Sequence, residues 1–283
     1  MSTNKLAFIL LLVVTIVAFG AQPATAATTC VFVDDSSGTL TLQGDCITDT
    51  TILVPNGYTL DGQGYTIEAV DPDLGHYLGA VIKNGGSVAY VTDVTVNTAN
   101  LANVCDAGVY RLRGIMLEGA SGAVTNTYVL NINQGMSGCQ EGNAIEVRNP
   151  PFDGTHPATV NVVVSGNHVD NYQKTGLVAN GDVFVEVYGN YFSGFGPVGF
   201  IAQNGIQLGY GAMGSVHDNE VRDNFYSGDG WISAGLLMFD VNAPDVRLFR
   251  NTLRDNQRNL SLTEDSACPN MYGGIYADWG LCQ

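Results

Sequence analysis

A motif that returns about every thirty residues constrains this chain more than anything else in it. Six short runs begin at Gly114, Ala144, Gly176, Gly205, Gly235 and Asn259. Each is a small residue or Asn followed by an aliphatic residue, a variable one and a further, mostly aliphatic, one. Their starts are spaced by 30, 32, 29, 30 and 24, and a near-constant period of this length marks a stack of like units. Between the runs lies a second series, in which Asn126, Asn167, Asn190, Asn219 and Asn251 each follow an alternating segment. Two strand-like segments per period, with no helical stretch between them, describe one coil of a solenoid. Within each segment apolar residues stand two apart, as a strand with one buried face requires. A single coil cannot cover its own apolar face, so coils must stack, with equivalent positions about 4.8 Å apart. The five Asn are then expected to form a structural ladder at a turn, in left-handed backbone, each amide bonded to the Asn above and below.

At these repeats, over residues 50–262, the chain resembles the pectin-lyase-like superfamily of right-handed parallel β-helices. The phrase Leu60-Asp-Gly-Gln-Gly-Tyr-Thr-Ile67 looks like the opening coil of many secreted β-helix proteins. Cys139-Gln-Glu-Gly-Asn-Ala-Ile-Glu-Val-Arg-Asn149, Tyr172-Gln-Lys-Thr-Gly176 and Ile201-Ala-Gln-Asn-Gly-Ile-Gln207 look like phrases of the same exported group. What the resemblance implies is an all-β, right-handed, single-stranded parallel β-helix outside the cell, with no particular reaction attached. The sequence lacks the Asn-Thr-Asp, Asp-Asp, His-Gly and Arg-Ile-Lys constellation that polygalacturonases carry. It also lacks the Gln-Asp-Thr pattern of pectin esterases and the Asp-Pro-His-Asp of mannuronan epimerases.

The two ends read differently from the repeats. Lys5 precedes an apolar run from Leu6 to Gly20, and Ala24-Thr25-Ala26 is a small-residue cleavage site, so residues 1–26 are expected to be a signal peptide. The mature domain, 27–283, divides into an N-terminal hairpin (28–48), coils (50–262) and a C-terminal cap (263–283). No later stretch is long and apolar enough to span a bilayer, and the expected product is a secreted monomer. All six cysteines, Cys30, Cys46, Cys105, Cys139, Cys268 and Cys282, lie in the mature part. An even number in an exported chain points to disulfides. Fifteen pairings are open, and the simplest joins neighbours in sequence: Cys30 with Cys46, Cys105 with Cys139, Cys268 with Cys282.

A formal charge of −16 argues against nucleic acid as a partner. It also disfavours a polyanionic substrate unless a local basic patch or a bound cation offsets the field. No Cys-x-x-Cys or His-rich cluster supports zinc, and no cofactor is expected; calcium would suit so acidic a chain, but no motif for it occurs.

Aligning the coils by their first motif residue places particular side chains next to one another. Arg111 and Glu141 stand three places before it, Arg113 one before, and Lys174 and Gln203 two before. Glu146 and Gln207 come two places after it, and Arg148 four after. These polar residues concentrate in the coils that start at 114, 144, 176 and 205, giving a patch roughly 15 Å long. Four of the eleven Lys and Arg residues fall in it. Lys174, Arg148 and Glu146 are the catalytic candidates, and Arg111, Arg113, Glu141, Gln203 and Gln207 the substrate-binding ones. Tyr172, Tyr188, Phe195 and Tyr210 are candidates for an aromatic edge on which sugar rings would stack. Lyase or epimerase chemistry would use Arg113 or Arg148 against a uronate carboxylate and Lys174, with a strongly lowered pKa, as base. Glu141 and Glu146 would be the carboxylates of a hydrolase. His76, His156, His168 and His217 are scattered and read as non-catalytic. Two functions stay open: action on or binding of an extracellular glycan through the patch, and a non-catalytic cell-surface or matrix role.

Overall fold

The computed structural model describes residues 28–152, 155, 158–241 and 245–262, together with the backbone of 270–272. The chain forms the expected all-β architecture, a parallel β-solenoid of about seven turns. Each coil, however, contributes three strands rather than two. The first sheet has ten strands, from Phe32–Asp34 and Thr39–Leu42 through to Val246–Phe249 and Asn270–Tyr272. The second has eight, from Cys46–Thr48 to Thr252–Arg254, and the third eight, from Ile52–Val54 to Arg258–Leu262. Strands of the second sheet escape the sequence reading because several, such as Tyr128–Leu130 and His168–Asp170, are three residues long. So short a strand shows no alternation of its own and merges with the segment before it.

Register in the third sheet follows the motif. Ile82, Ile115, Ile145, Leu177, Ile206, Leu236 and Leu260 lie in one row, each beside the next. A second row, Leu60, Val91, Val124, Val164, Val187, Val216 and Leu248, runs up the first sheet. All fourteen are buried, and each contributes roughly 1.5–3 kcal/mol by leaving water. Small residues open the motif because that position points into a closed corner. A Cβ on Gly205 would lie 2.1 Å from a methyl of Val221 and 2.6 Å from the carbonyl oxygen of Gly235.

At the N-terminal end the hairpin and the coils overlap. The hairpin of Phe32–Asp34 with Thr39–Leu42 is antiparallel, but its second strand already pairs in parallel with Tyr58–Asp61. Cys46–Thr48 likewise pairs with 67–69, so coiling starts near Thr39 and not at residue 50. A strand's partner lies outside the stretch that forms it, and alternation alone could not separate hairpin from coil. Of the expected cap, only residues 270–272 are described, as a strand parallel to 247–249. The signal segment, Cys268 and Cys282 lie outside the described residues. The other four cysteines pair as the neighbour rule predicts, Cys30 with Cys46 and Cys105 with Cys139.

The Asn ladder forms with one substitution. Asn167, Asn190 and Asn219 each donate from Nδ2 to Oδ1 of the next Asn at 2.9 Å, ending on Asn251. Each, with Asn251, donates a second bond to a carbonyl of the preceding coil, from Val124, Val164, Val187 and Val216. Asn126 does not belong to this column. Thr127 takes its place, donating from Oγ1 and from its backbone N–H to Oδ1 of Asn167. Asn126 sits one residue earlier, where it shares positive φ with Gly166, Gly189, Asp218 and Arg250. The left-handed residue is thus the one before the ladder, and the ladder Asn themselves are buried. An Asn in Asn126's position satisfies the turn, which is why type alone misassigned it.

Candidate functional site

The outer face of the third sheet carries a groove of about 360 Å³ across the coils that begin at 114, 144, 176 and 205. Six of the eight sequence candidates line it: Arg111, Arg113, Glu146, Arg148, Lys174 and Gln207. Parallel pairing brings them there, because Met116, Glu146, Val178 and Gln207 share one row and Glu118, Arg148 and Asn180 another. One wall comes from two loops joined by the Cys105–Cys139 disulfide, which bring Gly108, Arg111 and Gln140 to the rim. Phe152 and Tyr210 form the opposite wall.

Glu141 and Gln203 lie elsewhere, buried beneath the loops. The Glu141 carboxylate accepts the backbone N–H groups of Asp106 at 2.9 Å and Leu112 at 2.7 Å. Gln203 accepts from the N–H of Phe195 and donates to the carbonyl of Tyr172. Glu141 carries hydrogen bonds of a loop, and Gln203 that of Phe195, at the register shift between Ser193 and Gly196, which is the task of a buried polar side chain. The only trio of neighbouring potential metal ligands among the described residues is Cys105, Cys139 and Glu141, and its sulfurs are in the disulfide.

Within the groove the charged groups fall into two sets. Arg113 and Glu146 form a buried ion pair, Nε to Oε2 at 2.5 Å. The pair is fixed further by Arg113 donating to the carbonyls of Arg111 and Gly108, and by Asn143 donating to Glu146. Arg148 lies 3.6 Å from Glu146 and 3.4 Å from Glu118, which also takes Lys83 at 2.7 Å. These groups hold one another. Arg111 and Lys174 form the other set, with no carboxylate within 4.0 Å among the described residues. Lys174 Nζ donates to the carbonyl of Ala202 at 2.7 Å, and burial pushes its ammonium down to about 8.

Six buried side-chain polar atoms among the described residues lack a hydrogen-bond partner. Four belong to groove residues, but Arg148 Nε lies 3.4 Å from the Glu118 carboxylate, which leaves Arg111 Nε, Asn143 Oδ1 and Thr175 Oγ1. A buried polar atom without a partner costs about 1–3 kcal/mol, and these three lie around the groove.

No described protein family, curated protein or solved structure matches this chain. The site therefore has to be read from its own geometry.

Its aromatic wall differs from the expected one. Phe152 stacks on Tyr210 at 5.0 Å, and Tyr210 packs against Phe239 at 5.1 Å. Arg148 lies over the Phe152 ring at 5.2 Å. Of the four aromatic candidates only Tyr210 lines the groove. Tyr172 is buried, its hydroxyl donating to Asn224 at 2.6 Å, while Phe195 packs against Phe200. Tyr188 stacks with His217 away from the groove, as His168 does with Tyr128 and Tyr191. Phe152 carried no repeat signal, while Thr175 shares Arg113's position in the repeat but was not singled out there. His76 pairs with Asp106 at 2.8 Å, and His156 lies outside the described residues.

Proposed function

We propose that this chain is an extracellular β-helix protein, of the pectin-lyase-like kind, that binds a glycan bearing acidic groups in the third-sheet groove. The observation that carries the reading is the coincidence, in one groove, of Arg111 and Lys174, neither engaged by a carboxylate, with Asn143 and Thr175, each carrying a buried polar atom without a hydrogen bond. An acidic chain has to exclude anions generally, and an uncompensated Arg111 and Lys174 make the groove a local exception. Phe152 and Tyr210 supply apolar ring surface on which a sugar could lie.

A catalytic reading has support from one further feature. A lysine pushed down to about 8 can accept a proton near neutral pH. Arg111, the guanidinium not engaged by a carboxylate, would neutralise the sugar's acid group and make the neighbouring proton removable. Loss of that proton with cleavage of the glycosidic C–O bond would leave an unsaturated end. Incubation with a panel of neutral and acidic polysaccharides tests both readings. Retention of acidic glycans, lost in Arg111→Gln, is expected; ultraviolet-absorbing unsaturated ends would add catalysis. Equal retention of neutral and acidic glycans, or none at all, would overturn the proposal.

A further inference from the structure

Single apolar side chains on a protein surface are ordinary. Here the three most exposed large ones among the described residues, Leu74 at 92%, Met136 at 82% and Trp231 at 75%, share one edge of the solenoid. They stand on connections from the second sheet to the third, which successive coils send out at the same corner. Five of these are 70–79, 99–112, 131–142, 199–203 and 227–233, with the shorter crossing 171–174 between the third and the fourth. Neighbours among them are fastened together. His76 to Asp106 at 2.8 Å, and the Ala102 N–H to Asp71 at 2.7 Å, join the first to the second. The Cys105–Cys139 disulfide and the Ser137 hydroxyl, donating to Asn103 at 2.7 Å, join the second to the third. Across the short crossing, a Cβ on Gly138 would lie 3.1 Å from the carbonyl oxygen of Phe200. The Gln203 N–H donates to the Ser233 hydroxyl at 2.9 Å. The three tips therefore sit on one stitched ledge, on coils roughly 10 Å and 14 Å apart along the solenoid.

We infer that this ledge seats the protein on an electrically neutral lipid surface of the phosphocholine kind, with Leu74, Met136 and Trp231 dipping among the headgroups. Charge chooses the occupant. The five segments hold one basic residue, Arg111, which is half-buried, and two exposed acids, Asp73 and Asp229, beside Leu74 and Trp231. A phosphocholine surface presents its ammonium outermost, where those carboxylates meet it. An anionic lipid is drawn to clustered Lys and Arg, and this edge of a chain of charge −16 has the opposite character. A second copy seated ledge to ledge would set the same carboxylates against one another. Anchors on separate coils also suit a deformable layer, which receives each tip independently. A protein partner's contact energy concentrates instead in a central cluster. Tryptophan favours the headgroup level of a membrane, and binding grows with the apolar surface that enters. The inference needs none of the groove's side chains and stands apart from the glycan reading.

Co-sedimentation of the intact, disulfide-bonded protein with phosphatidylcholine vesicles tests it. Expected is partition onto these vesicles, weakened when about a third of the lipid is phosphatidylserine. Leu74→Ser, Met136→Ser and Trp231→Ser should each lower the partition roughly tenfold, and the triple variant should abolish it. Tryptophan emission should shift to the blue on adding vesicles, and the shift should vanish in Trp231→Ser. All three side chains are exposed, so the variants are expected to keep the urea midpoint and the glycan retention of the unaltered protein. Should one variant fail to fold, the other two decide. No partition by the unaltered protein, partition favoured by phosphatidylserine, or partition unchanged in the triple variant would each overturn the inference. So would a concentration-dependent dimer, seen by sedimentation velocity and lost in the triple variant, which would give the ledge to a second copy. Vesicle binding without glycan retention, or the reverse, separates this inference from the groove's.

Discussion

At the corner between the first and second sheets, Asn167, Asn190, Asn219 and Asn251 form a column in which each carboxamide donates both to a neighbouring carbonyl and, where another Asn follows, to that Asn. On the third sheet, the charged and polar side chains from Arg113 to Gln207 are brought together by the same stacking, with the same spacing, but over three neighbouring rows. This set is only half closed: Arg113, Glu146 and Arg148 satisfy one another, while Arg111 and Lys174 face the groove uncompensated. The difference teaches how to separate scaffold from site in a repeat protein. Stacking alone produces columns of polar residues, so a column is no sign of function; unmet valence within one is.

Substitutions should break the two sets in different ways. Asn190→Ala removes a donor to the Val164 carbonyl and to Asn219, and an acceptor for the N–H and Nδ2 of Asn167. Four hydrogen bonds are lost, but Asn219 Oδ1 keeps the backbone N–H of residue 190 and Asn167 Nδ2 keeps the Val124 carbonyl, so a loss of roughly 2–4 kcal/mol is expected, measured by urea denaturation. A loss under about 1 kcal/mol would mean that the ladder is not closed. Lys174→Met should have the opposite sign. Burial depresses the folded-state pKa to about 8, below the unfolded value of about 10.4. The folded chain therefore carries the full penalty of a buried charge below pH 8, and the penalty lifts as pH rises from 8 towards 10. The variant is expected to gain on the order of 1–3 kcal/mol at pH 7 while losing glycan retention. The unaltered protein, compared with the variant, should gain stability across that pH window. Smallest of all is Thr175→Val, which deletes a hydroxyl that has no partner. A change within about 1 kcal/mol, neutral or stabilising, is expected, and a larger loss on denaturation would show that Oγ1 is satisfied after all.

Much of the architecture was legible because a solenoid writes its register into its period. The row from Ile115 to Leu260 and the juxtaposition of Glu146 with Gln207's coil both followed from counting. Three-residue strands were invisible, since they are shorter than the pattern that would reveal them. A second amide column, Asn171 to Asn131 to Asn97 and on to Glu68, was missed because Asn131 and Asn171 lie just past strands of the second sheet while Asn97 and Glu68 lie within them, so no fixed repeat position marks the column. Asn126 was misplaced for the converse reason, as its residue type suits both the turn position and the ladder.

The sequence by itself determined the repeat, the buried rows and which coils carry the polar patch, because each depends on spacing along a chain that stacks on itself. Only the tertiary structure decided which patch residues are free. Glu141 is consumed by backbone amides of the loop from the preceding coil, Gln203 by the Phe195 amide and the Tyr172 carbonyl, Glu146 by two arginines, and Phe152 enters from an insertion outside the repeat. Whether a polar atom is satisfied is settled by every group within about 3 Å of it, and in this fold most of those groups lie a full coil away.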